Sequence, residues 1–383
     1  MKTQIQLLLA AALLAASPAL GQDTLAPLDP TQADSSQSGF GGPSPGQTRE
    51  YWIAADEVLW DYAPSYPTNL ITGEEFTDDE KVFVEEGIGR VYLKSIYRRY
   101  TPGFQSVIER SPRELRELGL LGPILRAEVG DTIVVHFRNN SRFPATMHPH
   151  GVFYRKDSEG APYDDGTSGA DKDDDSVPPG GEHTYVWLVP PRAGPAPRDP
   201  SSIVWLYHGH APEVASTNAG LIGAMVITAQ GRARPDGTPQ DVDRELFTLF
   251  TVFNENVSSY LDDNLQLCTS GPCDPDDEDF EESNLMHSMN GFVYGNNQYS
   301  MRTNESVRWY VMAMGTEVDL HTPHWHGSTL IQNGSRVDVT ELLPASTRTL
   351  DLRPDDPGKW MYHCHVNDHI EAGMLALYTV RTR

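Results

Sequence analysis

The sequence predicts an all-β protein made of two β-sandwich domains. Short β-rich runs recur between Gly, Pro, Asn and Asp, among them YWIAADEVLW, VYLKSIYRRY, DTIVVHFRNN, HTYVWLVP, GAMVITA, LFTLFTVFN, VRWYVMAM and MLALYTV. Strands at this spacing are the pattern of sandwiches, and helical periodicity is scarce. The halves also repeat each other. MHPHGVFY (Met147 to Tyr154) matches PHWHGSTL (Pro323 to Leu330), and LYHGHAPEVASTNAGLIGAMVIT (Leu206 to Thr228) matches MYHCHVNDHIEAGMLALYTV (Met361 to Val380). A repeat of that length argues for duplicated domains.

Taken in order, residues 1–21 carry Lys2, an apolar run from Leu7 to Ala16 and small residues at Ala19 and Gly21. This reads as a secretory signal peptide, too short to span a membrane. No later segment is apolar enough to cross one, so a soluble, exported protein is expected, periplasmic or secreted. Residues 22–48 are rich in Pro, Gly, Ser and Gln and read as a disordered arm. The first domain is expected over 49–229, a linker over 230–243 and the second domain over 244–383. Each strand is expected to bury one face, as the alternation of Val134, His136 and Arg138 against Val135 and Phe137 illustrates.

The net charge of −25 excludes nucleic acid and anionic membranes as partners and favours cations. Part of it lies in DPDDEDFEE, Asp274 to Glu282, whose plainest reading is a solvated acidic loop. Cys268 and Cys273 flank the turn-like TSGP and are expected to form a disulfide in an exported chain. That leaves Cys364 alone, a liability in an oxidising compartment unless something occupies the thiol.

Eight histidines fall into four pairs spaced i, i+2: His148/His150, His208/His210, His324/His326 and His363/His365. On a strand this spacing puts both imidazoles on one face. Four such pairs, divided evenly between two repeats, suit a cluster of several copper or zinc ions. If His363 and His365 face that cluster, Cys364 must point the other way, where it meets His321, His369 and Met374. Two histidines, a thiolate and a weak thioether are the ligands of a blue-copper electron-transfer site; zinc is the alternative, though a structural zinc site does not normally choose methionine. Gly209 stands where the first half would need its cysteine, so that half should hold no blue copper. His136 and His183 fit no motif and read as structural.

With these motifs the chain resembles the multicopper oxidases, and within them the ceruloplasmin-like branch. WDYAPS, GPILRAEVGDTIVVHFRN, FNENVSSYLDD and ESNLMHSMNGFVYGN extend the similarity from Tyr51 onward. The resemblance implies two cupredoxin-like Greek-key sandwiches and four copper ions per subunit. The type 1 site would use His321, Cys364, His369 and Met374, and the type 2 site His148 and His324. The type 3 pair would use His150, His208, His210, His326, His363 and His365. The implied reaction is one-electron oxidation of a reductant coupled to four-electron reduction of O2 to water. Two-domain members are homotrimers, with each trinuclear cluster between domain 1 of one subunit and domain 2 of the next.

In ferroxidases of this branch a ferrous site lies beside the type 1 copper. Glu282, His287 and Asp368 match its pattern, and Glu317 of the neighbouring subunit would complete it. Carboxylates with one imidazole suit Fe(II) and favour the ferric product. Tyr154 and Glu159 match positions near the cluster, where Glu159 would deliver protons or orient a water. The run DKDDDSVPPGGE resembles a calcium loop, with Asp171, Asp174, Asp175 and the Lys156 carbonyl as hard oxygen ligands.

Fe(II) is therefore the expected reductant, with a laccase-like phenol oxidase or a cuprous oxidase as the enzymatic alternatives. A copper nitrite reductase carries its blue copper in the first domain, which Gly209 argues against. A copper-binding protein without catalysis would be expected to show broken ligand sets, and none is broken here.

Overall fold

A computed structural model describes residues 46–269 and 273–383; the expected signal peptide and nearly all of the expected arm lie outside these residues. The described chain is all-β, with only short helices between strands.

The first half holds two sheets. One orders its strands Val91–Tyr100, Thr48–Asp61, Thr132–Asn139, Glu182–Leu188 and Phe153–Tyr154; the other orders Leu125–Glu128, Ile222–Thr228, Ser202–His208 and His148–Pro149. Strand Thr132–Asn139 shows the expected alternation. Ile133, Val135 and Phe137 are fully buried and pack with Tyr185, Trp187, Met225 and Ile227 between the sheets, while Val134, His136 and Arg138 are partly exposed.

The second half repeats this plan. Its larger sheet runs Leu285–Met289, Arg244–Asn254, Val307–Ala313, Thr347–Leu352, Leu330–Gln332 and Ser335–Val337. The facing sheet runs Gln298–Arg302, Leu375–Arg381, Gly358–Cys364 and Pro323–Trp325. Between them lies an aromatic core of Trp309, Trp325, Tyr362 and Tyr378, reaching to Cys364 and Met374. Each fully buried aromatic side chain contributes on the order of 2–3 kcal/mol.

The expectation of one buried face per strand fails where the halves meet. Ile222–Thr228 and Val307–Ala313 are buried at every position. Their second faces supply a third core, in which Leu206, Ala224 and Val226 join Phe247, Leu249, Tyr310 and Met312. The described residues accordingly form one compact unit. The connection over 230–243 is held down, with the Arg234 guanidinium donating to the carbonyls of Gln240 at 3.0 Å and Val242 at 3.1 Å.

Candidate metal centres

Strand Gly358–Cys364 pairs antiparallel with Pro323–Trp325, which sets His363 opposite His324 and Cys364 opposite Pro323. Alternation then separates neighbours. Tyr362 and Cys364 enter the sandwich core with Met374, and His363 turns to the other face. In the core, His321 Nδ1 lies 3.2 Å from His369 Nδ1, and Cys364 Sγ lies 3.9 Å and 3.5 Å from these two nitrogens. Met374 is fully buried. Its carbonyl accepts the Cys364 amide at 3.2 Å, and its own amide donates to the His369 carbonyl at 2.8 Å, so short backbone bonds close the loop that carries three of the candidates.

Burial alone would raise the Cys364 pKa, but hydrogen bonds from His321, His369 and the Thr322 and Val366 amides outweigh it and lower the pKa to about 6. The thiolate, which is the ligating form, thus prevails at neutral pH. A buried thiolate, two imidazoles and a thioether fit copper better than structural zinc.

The two histidine sets share one plan at His363 and His208 but turn different nitrogens inward at His324 and His148. In the second half His326 Nε2 and His363 Nε2 are 3.0 Å apart, and His324 Nδ1 is 3.2 Å from the latter. His363 Nδ1 donates to the Cys364 carbonyl at 2.5 Å, leaving Nε2 bare. His365 stands with its ring 5.3 Å from that of His324. In the first half His148 pairs opposite His208, and His150 Nε2 lies 3.0 Å from His208 Nε2. His208 Nδ1 donates to the Gly209 carbonyl at 3.0 Å, His148 Nδ1 donates to the Glu159 carbonyl at 2.7 Å, and the His210 ring is 5.2 Å from His148.

Burial, followed by the neighbouring imidazoles, depresses these groups: His208 to about 3 and His150 to about 4. His363 also falls to about 4, through burial first. They are neutral at pH 7, and bare ring nitrogens converging on one another are a donor set that fits metal ions. Among the described residues no ring contact or hydrogen bond joins the first-half set to the second; the chain carries two separate histidine sets.

His287 is 8% exposed, and its ring lies 5.2 Å from His369. Its Nδ1 donates to the Leu285 carbonyl at 2.9 Å, and burial with the His369 charge lowers its pKa to about 4, so Nε2 offers a lone pair. Glu282, Glu317 and Asp368 are exposed, and among the described residues their carboxylates make no hydrogen bond or ion pair. Tyr154 places its ring 5.9 Å from His148. The Glu159 carboxylate is engaged by Lys156 and by the Tyr163 hydroxyl at 3.1 Å, so it is the Glu159 carbonyl that reaches His148.

In the calcium-like loop Asp174 is fully buried. Its Oδ2 accepts the Glu159 and Gly160 amides at 2.8 Å and 2.7 Å, whereas its Oδ1 has no partner among the described residues. Asp171 is exposed, Asp175 pairs with Lys172 at 3.0 Å, and the Lys156 ammonium is bound to Asp165 at 3.0 Å. The expected Cys268–Cys273 disulfide is present and Cys364 is free and buried.

Asp319 is a site residue that the sequence reading missed. It is 1% exposed, with Oδ1 3.1 Å from His321 Nε2. Burial works against protonation of His321, yet the bonds to Asp319 and Cys364 hold its pKa above the ordinary value. The signal was parity: in GTEVDLH, Asp319 lies two residues before His321 and so shares its side of an extended chain, unlike Leu320.

Two family models described as multicopper oxidase match residues 117–232 and 269–383. The chain is 45% identical to ferroxidase HEPHL1 from Homo sapiens over 343 residues, 87% of this chain and 29% of that protein. It is 43% identical to ceruloplasmin from Rattus norvegicus over 343 residues, 87% of this chain and 32% of that protein. The chain thus spans under a third of the length of these curated relatives. A multicopper oxidase crystal structure superposes with a TM-score of 0.54 at 21% identity, covering 87% of this chain and 89% of that one, a likeness of fold.

Proposed function

The chain belongs to the multicopper oxidase family, and on that premise we propose that it oxidises Fe(II) to Fe(III) at the expense of O2, which is reduced to water. The observation that carries this reading is the Cys364 thiolate, held between His321 and His369 and bonded through its own backbone to His363 and His365. His321, Cys364, His369 and Met374 would hold a type 1 copper. His148 and His324 would hold type 2, and His150, His208, His210, His326, His363 and His365 the type 3 pair. When bound, copper supplies one-electron acceptance at the thiolate and oxygen reduction at the histidine cluster.

The protein's own part is positional. Neutral imidazoles are presented with their second nitrogens tied to carbonyls, which fixes ring orientation before any ion arrives. The backbone from Cys364 to its histidine neighbours supplies a short through-bond path. His287 beside His369, with Glu282, Asp368 and Glu317 of the neighbouring subunit, would hold the ferrous substrate next to that path. The ferroxidase names of relatives support the same choice. Two half-sites per chain support an assembly, a homotrimer by family likeness, in which each set meets the other set of a second copy. Glu159 would act by steadying His148 through its carbonyl, with Tyr154 alongside. The unpartnered Asp174 Oδ1 supports a calcium ion held with Asp171, Asp175 and the Lys156 carbonyl. The disulfide supports export to a periplasmic or extracellular compartment.

A phenol-oxidising second reading has one observation in its favour. Val318, Leu320 and Leu343 are 51%, 51% and 57% exposed around His321, an apolar rim suited to an aromatic reductant. Oxygen consumption with Fe(II), Cu(I) and a phenol, measured side by side, separates the two. Glu282→Ala and His287→Ala should lower kcat/KM for Fe(II) at least about tenfold while sparing the phenol, the scale of a lost charged or ligand contact. Equal retention with both reductants would remove the iron site.

A further inference from the structure

We infer that Asp319 is the positioning residue of the type 1 centre. Its buried carboxylate sets the tautomer and the ring angle of His321, and the same carboxylate anchors the loop that carries Glu317. The inference rests on the copper reading above and adds a residue to it.

The geometry is specific. Oδ1 faces His321 Nε2 at 3.1 Å and also accepts the Val252 amide at 2.7 Å. Oδ2 accepts the Thr316 amide at 2.8 Å, and the Asp319 amide donates to the Thr316 carbonyl at 3.0 Å. Gly315, at φ +133°, passes so close that a Cβ there would lie 1.9 Å from Oδ2. Both oxygens are therefore committed, and neither has room to turn away.

An ionised carboxylate only accepts, so the proton shared with His321 sits on Nε2. The Nδ1 lone pair is then left facing Cys364 Sγ and His369 Nδ1, where a metal ion would take it. A negative charge excluded from water and bonded to a ligand imidazole also favours the more highly charged state of the ion, which lowers the reduction potential of the centre. Glu317 lies between the two residues that Asp319 ties together, Thr316 and Asp319 itself. One anchor thus serves the ring of this chain's own centre and the carboxylate proposed to reach the donor site of a neighbouring subunit.

Asp319→Asn keeps the shape and removes the charge. In the copper-loaded protein, a poised redox titration of the type 1 visible absorption should show the variant shifted about tenfold toward the reduced form at fixed potential, about 59 mV for one electron. Glu341→Gln removes an exposed carboxylate next to Leu342, whose amide donates to the His321 carbonyl at 2.8 Å, and should move the equilibrium less than about threefold. An unchanged midpoint in Asp319→Asn, or an equal shift in both variants, overturns the inference. If Asp319→Asn does not fold, imidazole 15N shifts of the metal-free wild type decide. Neutral His321 should be the Nε2–H tautomer, and an Nδ1–H tautomer would refute the role of Asp319. A copper-loaded wild type lacking any type 1 absorption would instead overturn the copper reading, and this inference with it.

Discussion

Lys94→Met tests how the two halves are held together. Lys94 lies on strand Val91–Tyr100 of the first half, Glu255 follows strand Arg244–Asn254 of the second, and both are 0% exposed. The Lys94 ammonium donates to Glu255 and, at 2.7 Å, to the Asn218 carbonyl; the Tyr62 hydroxyl donates to Glu255 at 2.6 Å. Among the described residues Glu255 Oε2 has no partner. Methionine fills the same space but strands a buried carboxylate on one remaining hydrogen bond, a loss of about 3–5 kcal/mol. With an unfolding entropy of about 2.1 cal/mol/K per residue, a unit of this size loses about 0.7 kcal/mol per degree, so Tm should fall by about 4–7 °C. Thermal unfolding of the metal-free protein followed by calorimetry is the assay. Removing the whole group in Lys94→Met/Glu255→Leu/Tyr62→Phe should recover most of the loss, because no unpaired charge remains. A single variant within about 1 °C of wild type would refute the view that this pair registers one sandwich on the other.

Two further outcomes follow from the site. Gly209→Cys should add no type 1 absorption: the equivalents of His321 and Met374 are Ala145 and Leu221, the latter accepting the Gly209 amide at 2.9 Å as Met374 accepts that of Cys364. A Cβ at Gly209 would also lie 2.8 Å from Ser216 Cβ, so the change should cost about 1–3 kcal/mol in thermal unfolding. Metal-free protein should lose stability on acidification, because His208 and His363 have folded pKa values of about 3 and about 4, below the ordinary value. Their stabilisation is present above the unfolded value and lost as pH falls, about 2 kcal/mol each between pH 7.5 and 5. His321, held high, contributes the opposite slope, so the decisive comparison is His208→Gln, which should remove about 2 kcal/mol of the pH dependence; an unaltered profile would contradict the assignment.

Much of this molecule is local and therefore written along the chain. The parity that sends Cys364 into the core and His363 to the opposite face is a property of any extended strand, so the opposed sites were legible from HCH alone. The same holds for the half-buried strand Thr132–Asn139 and for the Cys268–Cys273 pairing across four residues. Tertiary structure decided what depends on a second surface. GAMVITA reads as a strand with one buried face, and only the packing of Val226 and Ala224 against Phe247 and Leu249 buries the other. Nothing in VYLKSIYRRY marks Lys94 for burial; Glu255, far away in sequence, closes over it. In GTEVDLH, two acidic residues look alike on paper. Both share the parity of the His321 ring, yet folding leaves Glu317 in solvent and drives Asp319 beneath His321, because only Asp319 meets the amides of Val252 and Thr316. The separation of eight histidines into two sets is likewise a matter of distance between sandwiches, which strand periodicity does not encode.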